Sequence, residues 1–334
     1  MLKQVFGTFS RKRLFIGSLL GVGALAPLFL PSKRRLVTFH PKEKPLTYSD
    51  AVEQIRSLAS AAPDSIRREC IDQLLEHGQP TEHVFVLLHG LSNCPAQFSQ
   101  LGQRLFELGH NVVIPRLPYH GERNSLASEW AQLTATEMIV AGNRAVDLAR
   151  SLGSKVTVAG ISANGATVAW LAQNRSDLHR AVLLAPFLSP VRLPKWATRP
   201  LERLLLGLPN IFLWWNAKQK ENIQRPYYAY PRFPTRVIGQ TMFLAQEVLR
   251  ESRLLPPACG SIVVITSASD TAANHQVTRQ LVNHWKVLGG SSIITYEFPA
   301  EQEVPHDCID PNQPNQKVAV VYPKLLQLLQ SSYK

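Results

Sequence analysis

The chain has 334 residues, 45% hydrophobic and 18% charged, which excludes a disordered or fibrous protein and allows one large domain or two ordinary ones. Its formal charge is +12, but residues 1–45 alone hold nine Lys or Arg against one Glu. The basicity therefore flanks an apolar segment, and with neither zinc-finger spacing nor an aromatic RNA-binding pattern, a nucleic-acid partner is not expected.

That segment, LFIGSLLGVGALAPLFL over residues 14–30, carries no charge and lies between a basic stretch and Ser32-Lys33-Arg34-Arg35. It reads as a secretory signal or a single membrane anchor. Ala24-Leu25-Ala26 has the form of a cleavage site, but Pro27 would follow the cut, and the Lys33-Arg34-Arg35 cluster opposes export of a cleaved chain. The expectation is an uncleaved anchor within residues 1–35, with an exported, periplasmic or secreted protein as the alternative. Orientation is unreadable because Lys and Arg flank both sides.

Residues 36–80 read as a linker and two amphipathic helices near 48–61 and 64–77, separated by Pro63-Asp64 and closed by Gly78. From residue 81 to 334 strands and helices alternate. Strands are expected at 83–90, 111–117, 155–161, 180–187, 261–269 and 291–298. Helices are expected at 95–108, 130–152, 163–175, 274–288 and 317–331. Apolar strands alternating with helices imply an α/β fold with a mostly parallel central sheet and helices on both faces. The alternation breaks at 189–258, rich in proline and aromatics, which reads as an insertion over one end of the sheet.

Ser162 follows the run KVTVAGI and precedes a small-residue helix. Ligands in open α/β sheets bind beyond the carboxyl ends of the strands, where this serine stands. Gly160-Ile161-Ser162-Ala163-Asn164 matches the nucleophile-elbow pattern G-x-S-x-G except at its last position. Small residues are expected two positions either side of the serine, because helix and strand pack closely there. Asn164 departs from that rule, although asparagine tolerates unusual backbone angles and Gly165 follows it.

A nucleophilic serine needs a base, and the base an orienting acid. Asp270 follows the next-to-last strand and His306 the last, giving the order Ser…Asp…His. Asp307 and Asp310 are weaker candidates for the acid and could instead orient the histidine. The loop LLHGLSNCPAQF (87–98) is expected to supply the oxyanion hole, with the N–H of Leu91 pairing with that of Ala163, and His89 bracing the loop. No metal or organic cofactor is required. The four cysteines, Cys70, Cys94, Cys259 and Cys308, are widely spaced without a Cys-x-x-Cys pair, so zinc is not expected. In a reducing compartment the four read as plain buried thiols; an exported chain allows one disulfide, for which Cys94–Cys308 is the pairing considered because both fall near the proposed site loops.

Together these residues resemble the α/β-hydrolase superfamily, and within it the carboxylesterase, monoacylglycerol lipase and lysophospholipase (serine aminopeptidase-type) group, over roughly 83–331. HGLSN resembles the family's oxyanion loop. RLPYHGER (116–123) resembles its "PGHG" stretch with Tyr119 in place of glycine, and GISANG resembles GxSxGG. The resemblance implies an α/β-hydrolase fold with Ser162, Asp270 and His306 as nucleophile, acid and base, Leu91 and Ala163 as oxyanion donors, and a lid at about 189–258. Trp196, Phe212, Trp214 and Trp215 are its candidate substrate-binding residues. Residues 191–258 hold eleven Lys or Arg against four Glu, so the lid is basic as well as aromatic. The expected activity is hydrolysis of carboxylic esters of lipid-like, acylglycerol or lysophospholipid type by a membrane-associated enzyme. The alternatives are an acyltransferase, thioesterase or peptidase on the same triad, or a non-catalytic binding protein on the same scaffold.

Overall fold

The structure is a computed structural model that describes residue 36, residues 45–218, residue 220 and residues 224–330. The apolar segment 14–30 lies outside these residues. Among the described residues no helix is long and apolar enough to cross a membrane.

Helix α1 (Tyr48–Ser60) starts where Thr47 Oγ1 accepts the N–H of Asp50. A 3-10 turn at Arg68–Cys70 and strand β1 (Gln73–Leu75) follow. Then come β2 (Thr81–Leu88), a 3-10 turn at Pro95–Phe98, α2 (Ser99–Glu107) and β3 (Asn111–Ile114). Helix α3 (Ala135–Ala149) opens on a capping box in which Thr134 and Glu137 satisfy each other's backbone N–H groups. Strand β4 (Gly153–Ile161), helix α4 (Ala163–Asn174) and strand β5 (Arg180–Leu184) form the centre. The stretch beyond β5 contains α5 (Lys195–Gly207), β6 (Phe212–Trp214), β7 (Arg232–Pro234) and α6 (Thr235–Glu251). The chain closes with β8 (Ser261–Ser267), α7 (His275–Leu288), β9 (Ser292–Phe298) and α8 (Val318–Gln330).

The main sheet has the order β1-β3-β2-β4-β5-β8-β9, with β1 antiparallel to β3 and the other pairings parallel. Its central strands are buried on both faces, which is why they read as unbroken apolar runs. Val84, Val86 and Leu88 of β2 join the core beneath α1, α3, α4, α6 and α7, while Phe85 and Leu87 point into the core under α2 and α8. Helix α4 lies against the sheet centre with residues Ala163 to Gln173 all buried, so it shows no amphipathic stripe.

Two expectations are corrected here. The second helix expected at 64–77 is absent: the chain makes the Arg68–Cys70 turn, and Gln73, Leu74 and Leu75 pair antiparallel with Ile114, Val113 and Val112. The edge of the sheet offers these residues backbone partners that periodicity in the sequence does not register. The disulfide is Cys70–Cys94, with a Cα–Cα distance of 5.1 Å, whereas Cys308 is a buried free thiol. The turn carries Cys70 to the end of the loop after β2, while Cys308 faces the core beneath α8.

Within 189–258, residues 235–251 form α6, whose Val237, Leu244, Ala245 and Val248 are buried in the core shared with α4. The part standing over the sheet's carboxyl end comprises α5 and the β6–β7 hairpin.

The disulfide closes a sequence separation of 24 residues. Cys70→Ser/Cys94→Ser should therefore lose about 3 kcal/mol of stability in denaturant titration. Adding reductant to the native protein should reproduce that loss, and should leave the double variant unaffected.

Candidate active site

The turn from β4 into α4 holds Ser162 at φ 57°, ψ −119°, a conformation costly for a residue with a side chain. Backbone bonds fix it: the Ser162 N–H donates to Leu184 O at 3.0 Å, and Ser162 O accepts from Gly165 and Phe187, both at 2.9 Å. A Cβ at Gly160 would lie 2.5 Å from Asn164 O, so the residue two before the serine must be glycine. After the serine the tight approach comes three positions on: a Cβ at Gly165 would lie 2.7 Å from Pro186 Cα. This corrects the expectation that position 164 must be small.

Asn164 instead has a positive role. Its side chain is fully buried; Nδ2 donates to His89 O at 2.6 Å, and Oδ1 accepts from Thr167 Oγ1 at 2.8 Å. The elbow is thereby tied to the loop after β2. Asn164 takes up no room in the cavity above Ser162, because it points down into this contact.

The three expected site residues come together. Ser162 Oγ and His306 Nε2 are 2.8 Å apart, and His306 Nδ1 and Asp270 Oδ2 are 2.8 Å apart. An ionised Asp270 only accepts, so the proton sits on Nδ1 and Nε2 accepts from the serine hydroxyl. Burial alone would raise the Asp270 carboxyl. The His275 imidazole, whose Nε2 lies 3.5 Å from Oδ2, the hydrogen bond and charge of His306, and the N–H of Ala272 outweigh it and hold the group well below the usual carboxylate range. The acid is also set in place by Ala272 and Ala273, whose N–H groups reach Oδ1 at 2.7 and 3.2 Å. The histidine loop is anchored where Ser267 Oγ donates to Val304 O at 2.6 Å.

The loop after β2 is braced from several sides. His89 Nδ1 lies 2.9 Å from Gly90 O, and Nε2 accepts the N–H of Leu117 at 3.1 Å. Burial pushes His89 down to about 3, so it serves as a neutral brace. Gln97 binds in two directions: Oε1 accepts from Gly90 N–H at 2.7 Å, and Nε2 donates to Asp307 Oδ2 at 2.9 Å. Asn93 and Gln313 donate to the same Asp307 oxygen at 3.2 and 2.7 Å. Asp307 thus ties the histidine loop to the loop carrying Leu91. Tyr119, standing where the resembling family has glycine, takes φ 65° and donates its hydroxyl to Glu137 at 2.6 Å.

A cavity of about 600 Å³ opens above Ser162, with Leu91, Ala163 and His306 in its wall. Apolar walls come from Phe187, Leu201, Leu205, Leu213, Phe233 and Ile238. Of the four lid aromatics expected to bind substrate, Trp215 lines the cavity and the other three do not. Trp196 is 72% exposed, and Phe212 lies between the ring of Trp130 and the guanidinium of Arg232. Strand alternation explains the exchange: in β6, Leu213 faces the cavity, and Phe212 and Trp214 face away. The wall residues Leu201 and Leu205 were legible as an i, i+4 pair on one helical face, had the helix itself been drawn.

Residues 85–308, about two thirds of the chain, match the model of the alpha/beta hydrolase family. This chain belongs to the alpha/beta hydrolase family. Solved structures resemble it at low sequence identity. A metagenome-derived lipolytic enzyme is 17% identical with a TM-score of 0.60, over 80% of this chain and all of that one. A monoacylglycerol lipase from Paleococcus ferrophilus is 15% identical with a TM-score of 0.57, over 77% of this chain and 96% of that one. A soluble variant of monoglyceride lipase from Saccharomyces cerevisiae, in complex with a substrate analogue, is 11% identical with a TM-score of 0.58, over 77% and 90%. No curated protein matches at the level of sequence. At these identities the neighbours establish the hydrolase fold.

Two predictions follow from the bracing. Asn164→Ala leaves the buried His89 carbonyl without its donor and should cost about 1–3 kcal/mol of stability. Turnover should fall about 10- to 100-fold through the displaced loop, and Asn164→Gly should behave alike; wild-type turnover in both would show the brace to be idle. The second concerns Asp310, which accepts the Tyr228 hydroxyl at 2.8 Å. Burial, then the charge of Asp307, push its carboxyl from 3.8 up to about 6, against the Asn312 N–H and the Tyr228 hydroxyl. The native state therefore holds more protons than the unfolded chain between roughly pH 4 and 6, so this group's contribution to stability falls as pH rises through that window. Denaturation midpoints of wild type and Asp310→Asn, measured from pH 4 to 7.5, should diverge across it.

Proposed function

We propose that this family member is a serine hydrolase that cleaves carboxylic esters with apolar acyl groups. The observation that carries the reading is the continuous chain from Ser162 Oγ through His306 to Asp270, with both links at 2.8 Å, at the floor of an apolar cavity.

In this reading His306 Nε2 takes the proton of Ser162 as Oγ attacks the ester carbonyl carbon. The tetrahedral oxyanion accepts hydrogen bonds from the N–H groups of Leu91 and Ala163, the latter at the N-terminus of α4 where the helix field favours negative charge. Collapse breaks the bond to the alcohol oxygen, which takes the proton from Nε2 and leaves an acyl-serine. A water then gives its proton to Nε2 and attacks the acyl carbon. As the second tetrahedral intermediate collapses, the bond from the acyl carbon to Ser162 Oγ breaks, Oγ takes the proton back from Nε2, and the carboxylic acid leaves. Asp270 holds the imidazole in its Nδ1–H form and stabilises the imidazolium.

The acyl group occupies the space between Phe187, Leu201, Leu205, Leu213, Phe233 and Ile238. The apolar wall supports a medium or long acyl chain of a lipid-like ester. Residues 81–334 act as the hydrolase domain, 36–80 as its linker and N-terminal packing, and 1–35 as a leader that anchors or exports it. The Cys70–Cys94 disulfide supports a domain on the oxidising side of that membrane, because such bonds persist outside reducing compartments.

Ser162→Ala should lower kcat/KM on p-nitrophenyl esters by at least about 10⁴-fold with its melting temperature retained; full residual activity in the folded variant would refute the assignment. Across acetyl to palmitoyl esters, Leu213→Trp should shift the chain-length optimum downward, and an unmoved optimum would take the acyl group out of this wall.

A further inference from the structure

Among the described residues one arginine, Arg225, lines the apolar cavity. Its bonds go to neutral acceptors at long range: Nη1 to Pro226 O and Nη2 to Ser125 Oγ, both at 3.3 Å. Its Nε is buried and has no hydrogen-bond partner among the described residues. Arg67 stands close enough that, after burial, its charge disfavours the Arg225 cation. Arg67 is likewise bonded, among the described residues, only to a neutral acceptor. Its Nη2 donates to Arg123 O at 2.7 Å, its guanidinium lies 5.3 Å from the Tyr227 ring centroid, and its Nε is buried and unpartnered.

Among the described residues neither arginine makes an ion pair. The neighbouring carboxylates are engaged with neutral donors: Glu69 with the Tyr227 hydroxyl, Glu122 with Ser65 Oγ, and Asp307 with three side-chain amides. Two adjacent cations, each with an unpartnered Nε and with no ion pair among the described residues, repel each other, and an anion bound between them would relieve that repulsion. Guanidinium forks match the oxygens of phosphate, which can bridge two of them. A fatty-acid carboxylate would not serve here, because the acyl carbonyl must sit at Ser162.

We propose that Arg225, supported by Arg67, forms a subsite for an anionic phosphate headgroup, so that the ester cleaved at Ser162 carries its phosphate on the alcohol side. The inference rests on the ester-hydrolase reading and names the substrate class: a monoacyl ester of a phosphorylated alcohol. The apolar wall takes the acyl chain, Ser162 meets the ester, and the arginine pair meets the phosphate.

The test compares kcat/KM for monomeric 1-decanoyl-glycerol-3-phosphate and 1-decanoylglycerol, which share the acyl chain and ester and differ in the phosphate. Wild type should favour the phosphorylated ester about tenfold or more at low salt, with the preference shrinking as salt rises. Arg225→Gln should bring the ratio towards one and Arg225→Lys should keep part of it. A wild-type ratio of one, or the same ratio in wild type and Arg225→Gln, overturns the proposal. Arg67→Gln should lower the ratio in the same direction and serves if Arg225→Gln does not fold. A second measurement needs no catalysis: calorimetric binding of monododecyl phosphate and of dodecanol to the full-length Ser162→Ala protein. Tighter binding of the phosphate that is lost in Ser162→Ala/Arg67→Gln supports the subsite, and equal binding of the two overturns it. Inorganic phosphate that binds the arginines as tightly as monododecyl phosphate would make the source free phosphate and overturn the headgroup assignment. Should wild type cleave no ester and resist a fluorophosphonate probe, the hydrolase reading fails, and calorimetry still decides the anion subsite.

Discussion

The whole site depends on a backbone that would not adopt its geometry unaided. Ser162 has φ 57°, and the turn persists because the surrounding sheet leaves no alternative. Strand β4 is paired along both edges, with β2 and β5, so the Ser162 N–H meets Leu184 O at the end of the ladder. Missing side chains at Gly160 and Gly165 let the first turn of α4 approach the strand and Pro186. The strain directs Oγ up into the cavity and Ala163 N–H towards the same space. Stability invested in the core is used here to hold a reactive group.

Around this turn the loops are bound to one another more than to solvent. Asn164 fixes His89, Gln97 fixes Gly90, and Asp307 gathers Asn93, Gln97 and Gln313. His120 reaches Leu91 O through Nε2 at 2.7 Å, and the Cys70–Cys94 disulfide pins the far end of the same loop. Oxyanion donors act through pre-set position, so a loop held at this many points suits the chemistry proposed for Leu91 and Ala163. The residue departing from the elbow motif is one of these restraints.

The region over the site divides the work between two surfaces. Leu201, Leu205 and Leu213 turn inward, while Trp196 and the outer faces of α5 and the hairpin meet solvent. An apolar slot beneath and a basic, aromatic exterior suit the ester proposed above, with its acyl chain withdrawn from water and its polar end near the rim.

Much of the fold was legible because its causes are local. Continuous β-branched runs fix buried parallel strands, and Gly-x-Ser after such a run fixes the elbow. The order Ser162, Asp270, His306 places three groups at one edge of a sheet whose topology orders its loops. Other features depend on distant partners. Gln73–Leu75 is a strand because β3 has a free edge, and Cys70 pairs with Cys94 because a turn carries it there. Leu213 replaces Phe212 and Trp214 in the cavity wall because a three-residue strand pairs with Arg232–Pro234 and sets which face turns inward. The sequence by itself determined the scaffold and the positions of its candidate site residues, since periodicity and motif spacing are properties of neighbouring residues. Which residues brace those groups, and which line the space above them, was decided by the tertiary structure, since those contacts join residues tens to hundreds of positions apart.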